Sequence, residues 1–258
     1  MTTYQPSPRG AKAPKAAEMI AGILRDEIVT GLVADGQRLG SGPELVERFG
    51  VSRPTLREAF RILEAENLIT IERGVYGGVI ARRPDEGHTV RAMATVLQSR
   101  GATLSDVYEA RTAIEPSAVR LLASARGRKA KVKVLQAIVD REDAAVDDPS
   151  LYAAANIEFH EALVGASDNK TLLLLTEVLH DLVADAVTRG TEGDTDTKAR
   201  ARRVAGVDAH RRVLELIHAG EASEAESYWR DHMNLVGSMT VRRAGDRTVI
   251  SQPVAHAS

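Results

Sequence analysis

Three histidines in the second half of the chain, His160, His210 and His232, sit on helically spaced apolar stripes. His160 accompanies Tyr152, Phe159 and Leu163; His210 accompanies Val207, Val213, Leu214 and Ile217; His232 accompanies Tyr228, Leu235 and Val236. A lone histidine in such a place is usually a core residue whose ring nitrogens are hydrogen-bonded. Three imidazoles from near-consecutive helices of one domain suggest a common partner, and a divalent metal gives each neutral ring nitrogen a strong bond. The chain has no cysteine, so disulfides and thiolate sites are excluded and any metal must rest on histidine and oxygen. Asn156 precedes His160 by one helical turn, so the two polar side chains share a face. His88, His180, His218 and His256 lack comparable placement and read as surface or loop residues.

A second group of residues suits recognition of a polyanion. In Phe49-Gly50-Val51-Ser52-Arg53-Pro54-Thr55-Leu56-Arg57, glycine supplies a tight turn and Ser52 can cap a new helix. Ser52, Arg53, Thr55 and Arg57 then occupy the first turns, where a helix entering the major groove of DNA presents side chains to bases and backbone N–H groups to phosphates. Leu56, Phe60 and Leu63 form the apolar stripe that would bury this helix, leaving Arg53 and Arg57 on one side, four residues apart. An arginine there can fork onto a guanine or clamp a phosphate. The competing reading is a solvated helix with its arginines paired to Glu44, Glu47 or Glu58.

The elements that must hold these groups divide into two domains, as a chain of 258 residues allows. Residues 1–14, rich in Pro, Gly, Ser and Thr, read as a disordered arm. Residues 15–83 read as helix, helix-turn-helix and a hairpin (68–72 and 78–81), which together make a winged helix-turn-helix. The charged run Arg82–Gly87 suggests a linker at 84–88. Residues 89–243 carry helical periodicity without strand signals and predict an antiparallel all-helical bundle, with a loop over 188–198 and a flexible tail over 244–258. The fold class is therefore mainly α.

Net charge is −2, but residues 1–84 carry 12 Lys and Arg against 10 Asp and Glu, and the rest 22 against 26. A mildly basic head on an acidic body fits DNA binding without excluding an ordinary enzyme. No apolar run approaches a membrane span, and the N-terminus lacks the apolar core of a signal peptide, which predicts a cytoplasmic protein with no membrane partner.

The run FGVSRPTLREAFRILEAENLI followed by a glycine-containing turn resembles the winged helix of the GntR family, over about residues 17–82. The resemblance implies that Ser52, Arg53, Thr55 and Arg57 contact an operator and that Arg73 and Gly74, at the wing tip, reach the minor groove. Relatives carry a Leu-Pro-Ser-Glu-Arg-like run entering the second helix. This chain reads Leu39-Gly40-Ser41-Gly42-Pro43-Glu44, which removes one arginine contact.

The segments LSDVYEARTAIEPSAVRLL, NIEFHEALV, DAHRRVLELI and YWRDHMNLV resemble the FCD ligand-binding domain of the FadR subfamily of GntR. That resemblance implies Asn156, His160, His210 and His232 as ligands of a divalent ion. It also implies Arg111 as the residue that pairs with an effector carboxylate, a task suited to a planar guanidinium. The competing reading of Arg111 is an ion pair with Glu115 on the same helix. Many relatives have aspartate at the position of Asn156, so the site is one negative charge short. Three imidazoles with open positions suit zinc or nickel better than magnesium or calcium.

Together these features predict a homodimeric repressor, not an enzyme, released from operator DNA by a small organic acid bound beside the metal. One alternative is a regulator in which the metal is itself the signal or a structural staple. A metal-dependent hydrolase is the remaining one, opposed by the lack of a nucleophile motif or an obvious general base.

Overall fold

A computed structural model of the chain describes residues 13–72, 78–84, 86–191 and 197–245. They form two compact units, divided after His88.

The first unit contains α1 (Ala13–Val29), β1 (Arg38–Gly40), α2 (Gly42–Phe49), α3 (Arg53–Ala65), β2 (Ile69–Glu72) and β3 (Gly78–Ala81). Ile20, Leu24 and Ile28 of α1 bury against Leu56, Phe60 and Leu63 of α3, each such side chain contributing roughly 1.5–3 kcal/mol. Ser41 caps α2 in a reciprocal pair with Glu44, and Gly50 closes it at φ 63°, a left-handed conformation that suits glycine. The sheet has the order β1-β3-β2, antiparallel throughout, with Ile69 opposite Ala81 and Ile71 opposite Val79. Strand β1 was not legible in the sequence, because three residues are too few to show alternation. The helix α1 begins at Ala13, so the last two residues expected in the arm are helical, with Pro14 in the first turn where a missing N–H costs nothing.

The helices α4 (Glu86–Ser99), α5 (Leu104–Ser124), α6 (Arg128–Ala144), α7 (Pro149–Gly165), α8 (Lys170–Thr191), α9 (Thr197–Ala219) and α10 (Ala222–Ala244) follow. Residues 86–88, expected in a linker, already belong to α4; a first turn that reads Glu86-Gly87-His88 has the composition of a linker. The expected loop over 188–198 is likewise shortened, since α8 runs to Thr191 and α9 starts at Thr197.

One core gathers Phe159 and Leu163 of α7, Val207 and Leu214 of α9, and Trp229 and Met233 of α10. A second gathers Leu104 and Tyr108 of α5 with Val178 and Leu182 of α8. Both cores meet along α5 and α10. Their approach is close enough that a Cβ on Gly237 would lie 3.1 Å from Tyr108 Cβ. Pro116, inside α5, has no N–H to give the Thr112 carbonyl four residues back. Arg230 of α10 donates to that carbonyl instead, Nη1 to O at 3.1 Å.

Candidate functional site

The exposed end of α3 is built by a cap. Ser52 is extended (φ −72°, ψ 153°), its Oγ accepts from the Thr55 N–H at 3.3 Å, and the two hydroxyls lie 2.8 Å apart. Leu56, Ala59, Phe60 and Leu63 turn inward, which fixes Arg53 and Arg57 on the outside. Two of the three glutamates that could have neutralised them are engaged elsewhere: Glu44 caps Ser41, and Glu58 pairs with Arg61 at 3.1 Å. Among the described residues, Arg53 and Arg57 form no ion pair. Two guanidiniums flank a helix N-terminus whose free N–H groups favour an anion, as a phosphate backbone requires. Arg73 and Gly74 lie outside the described residues.

The histidine site is assembled from three helices. His160 on α7, His210 on α9 and His232 on α10 bring one ring nitrogen each to within 4.8 Å of the others. His160 and His210 are buried and His232 half-buried. Glu115 of α5, with no exposed surface, accepts from His160 Nδ1 at 2.7 Å, from Arg111 Nε at 2.9 Å and from Trp229 Nε1 at 3.3 Å. The Arg111 guanidinium and the His160 ring hold the Glu115 carboxyl well below the usual range against the opposing effect of burial. An ionised Glu115 requires the proton of His160 to sit on Nδ1, which leaves Nε2 with a free lone pair. Arg111 Nη2, at 3.5 Å from the same Nδ1, therefore faces another donor and makes no hydrogen bond with it.

Glu142 of α6 does the same for His210, accepting from its Nδ1 at 2.7 Å. His210 Nε2 is then a buried nitrogen with no hydrogen-bond partner. The other oxygen of Glu142 accepts from Asn156 Nδ2 at 3.0 Å, which directs the amide oxygen of Asn156 away from the carboxylate. Burial lowers the pKa of His160 to about 4; burial, then the neighbouring rings of His210 and His160, lowers that of His232 to about 2. Both are therefore neutral near pH 7. A neutral imidazole with one nitrogen on a carboxylate and the other unpartnered has the form of a metal ligand and its supporting shell. The three imidazole nitrogens brought together fit a borderline divalent cation.

A cavity of about 550 Å³ opens beside the cluster, with Tyr152, Asn156, His160 and His232 in its wall. Arg111 is absent from that wall. Its ion pair with Glu115 is the competing reading given above, and this placement favours it over direct contact with an effector. Leu235, expected on a core stripe, also lies in the cavity wall and is 58% exposed.

The gntR-family model of bacterial regulatory proteins matches residues 16–76, and the FCD-domain model matches residues 106–235, half of the chain. The chain belongs to the GntR family. As a GntR protein with an FCD domain, it is a DNA-binding transcription regulator and not an enzyme. It is 28% identical over 212 residues to a regulatory protein of Escherichia coli (strain K12) named for the L-lactate dehydrogenase operon. The match spans 78% of this chain and 77% of that one. It is 24% identical over 225 residues to the HTH-type transcriptional repressor NanR of Edwardsiella tarda, spanning 86% and 84%. The fold is similar to that of Streptococcus agalactiae GntR, at TM-score 0.57 and 21% identity, over 88% of this chain and all of the other. Among the described residues, no helix is long and apolar enough to cross a membrane.

Several residues of this GntR regulator's site escaped the sequence reading. Glu142 gave no signal, because its partner His210 lies on a helix far along the chain. His180, read as a surface residue, is buried instead; its Nδ1 is 3.2 Å from Glu161 and its Nε2 3.6 Å from Glu115. It follows Val178 and Leu179 and precedes Leu182 on the buried side of α8, a stripe whose apolar spacing was available. His88 and His218 are exposed, and His256 lies outside the described residues.

Proposed function

We propose that this protein is a homodimeric repressor whose hold on operator DNA is released when a small carboxylate binds beside a zinc or nickel ion at His160, His210, His232 and Asn156. The observation that carries this reading is the pair of carboxylate-backed imidazoles, Glu115–His160 and Glu142–His210, with His210 Nε2 buried without a partner and His160 and His232 in the wall of a cavity. A buried polar atom without a partner is costly, and a cation at the shared position of the three rings removes that cost. When bound, the ion would supply positive charge and open coordination positions for an anionic ligand. Glu115 and Glu142 hold the two rings with Nε2 presented, and Arg111 keeps Glu115 ionised. Ser52, Arg53, Thr55 and Arg57 engage the major groove, one α3 for each half-site of a two-fold operator. The NanR relative is named a repressor, which supports repression as the sign of control.

The cavity favours an organic effector over a metal that acts as a staple, since a staple needs no room beside it. Thermal unfolding of the purified protein with zinc, nickel or chelator, each crossed with a panel of small carboxylates, tests the reading. The expected result is a stabilisation by carboxylate that requires metal, about 2.7 kcal/mol at a hundred times the dissociation constant. Stabilisation by metal with no response to any acid would instead make the ion the signal or a staple. No response to metal would remove the assignment of the three histidines.

A further inference from the structure

Tyr152, Asn156 and His160 follow one another at intervals of four on α7, and Gly206 precedes His210 by four on α9, so each helix carries these residues on one side. Both helices pack on α6, the helix of Glu142. Tyr152 is half-buried, packs against the core that holds Phe159 and Leu163, and shares the wall of the cavity with Gly206. Its hydroxyl reaches across to α9: a Cβ built on Gly206 would overlap that oxygen, whereas the next ring atom, Cζ, would lie at an ordinary 3.7 Å. Glycine inside a helix weakens it relative to alanine, and close approach by another part of the chain is one reason to keep it there. Here the approaching atom is a single hydroxyl oxygen.

The same hydroxyl faces Glu142. Burial, then the charge of the Glu142 carboxylate and a hydrogen bond to it, push the pKa of Tyr152 above the ordinary phenol value. The phenol therefore keeps its proton near pH 7 and donates it to Glu142. That carboxylate has no exposed surface and also accepts from His210 Nδ1 at 2.7 Å and from Asn156 Nδ2 at 3.0 Å. Burial opposes its charge, and the bonds from His210 and Asn156 hold its pKa below the usual carboxylate value. A third donor acts in the same sense and leaves the carboxylate less free to rotate. Glu142 is thereby tied to α7 by two residues and to α9 by one.

We propose that Tyr152 is a positioning residue of the metal site, acting through Glu142 on His210, and that position 206 is glycine to admit the Tyr152 hydroxyl. This inference rests on the metal-binding reading above and adds two residues to the supporting shell of that site. Loss of the hydroxyl weakens the hold on the Glu142 carboxylate, and the proton of His210 is then less strictly confined to Nδ1. A methyl group added at position 206 has the same result by another route, since it displaces the hydroxyl from the carboxylate.

The test is the zinc dissociation constant of the full-length protein, read by competition with a chromophoric chelator. Tyr152→Phe, which keeps the ring and removes the oxygen, should weaken zinc binding about tenfold. Gly206→Ala should weaken it at least as much. In the Tyr152→Phe background, the same Gly206→Ala change should alter the constant by less than about twofold, because Cζ leaves room for the new methyl group. Tyr152→Phe should likewise add less than about twofold to the effect of Glu142→Gln, the residue through which it acts, whereas a tyrosine that only fills space would cost the same in both backgrounds. A Gly206→Ala chain that fails to fold and is restored by Tyr152→Phe supports the contact equally. Zinc binding by Tyr152→Phe within about twofold of the wild type, or equal costs of either substitution in its two backgrounds, overturns the inference and leaves the metal site standing. A wild type that binds no zinc overturns both.

Discussion

Asn156 shows how one atom pair can set the behaviour of a site. Its amide nitrogen donates to Glu142, a bond that a carboxylate at this position could not make. In Asn156→Asp, two carboxylates would face each other in the metal-free protein, whereas a bound cation would offset the added charge. The expected outcome is a lower melting temperature with chelator and a wider gap between chelated and zinc-loaded protein than in the wild type. Glu142→Gln should act in the opposite sense on the ligand itself. Without an anionic acceptor, the proton of His210 is no longer confined to Nδ1, and zinc affinity should fall by about 10–100-fold in competition with a chromophoric chelator. A pH dependence follows from His160 and His232, whose folded pKa values lie below the usual 6.5. The unfolded chain binds more protons below pH 6.5, so the stability of the chelated protein is full above that pH and is lost as the pH falls toward 4. Each histidine contributes up to about 1.4 kcal/mol per pH unit in that window. Melting temperatures between pH 7.5 and 5 check this, and a flat profile would contradict the neutral assignment.

At the scale of elements, α5 and α10 depend on a repair of the helix ladder. Pro116 leaves the Thr112 carbonyl without its intrahelical donor, and Arg230 reaches across to supply one. Arg230→Met should cost about 1–3 kcal/mol in urea unfolding, because a half-buried acceptor loses its partner. Pro116→Ala restores an N–H to the same carbonyl, so the loss should shrink in the double variant, and a double-mutant cycle measures the coupling. The element that reads DNA behaves differently, since Arg53 and Arg57 are exposed and form no ion pair among the described residues. Arg53→Ala and Arg57→Ala should leave the melting temperature unchanged. Each should weaken operator binding, and a variant that loses a phosphate contact should also lower the salt slope by about one.

For the whole molecule, a two-fold operator requires two copies of α3 and thus two chains per site. Titration of operator fragments should saturate at two protomers, and effector should lower affinity for full operators more than for isolated half-sites. The local patterns along the chain were enough to determine several parts of this architecture. The α3 cap at Ser52, the inward stripe of Leu56, Phe60 and Leu63, and the helices around His160, His210 and His232 all arise from spacings within one helix. Such spacings reflect local hydrogen bonding and the burial of one face, so they can be read in order along the chain. What pairs across helices was decided by tertiary structure. The choice of Glu142 as the partner of His210 and of Glu115 as the partner of His160 belongs to this class. So does the presence of Arg202, Arg203 and Arg243 in the wall of the cavity beside His160 and His232. Each depends on how helices distant in sequence are rotated and offset when they pack, and no periodicity within a single helix carries that information.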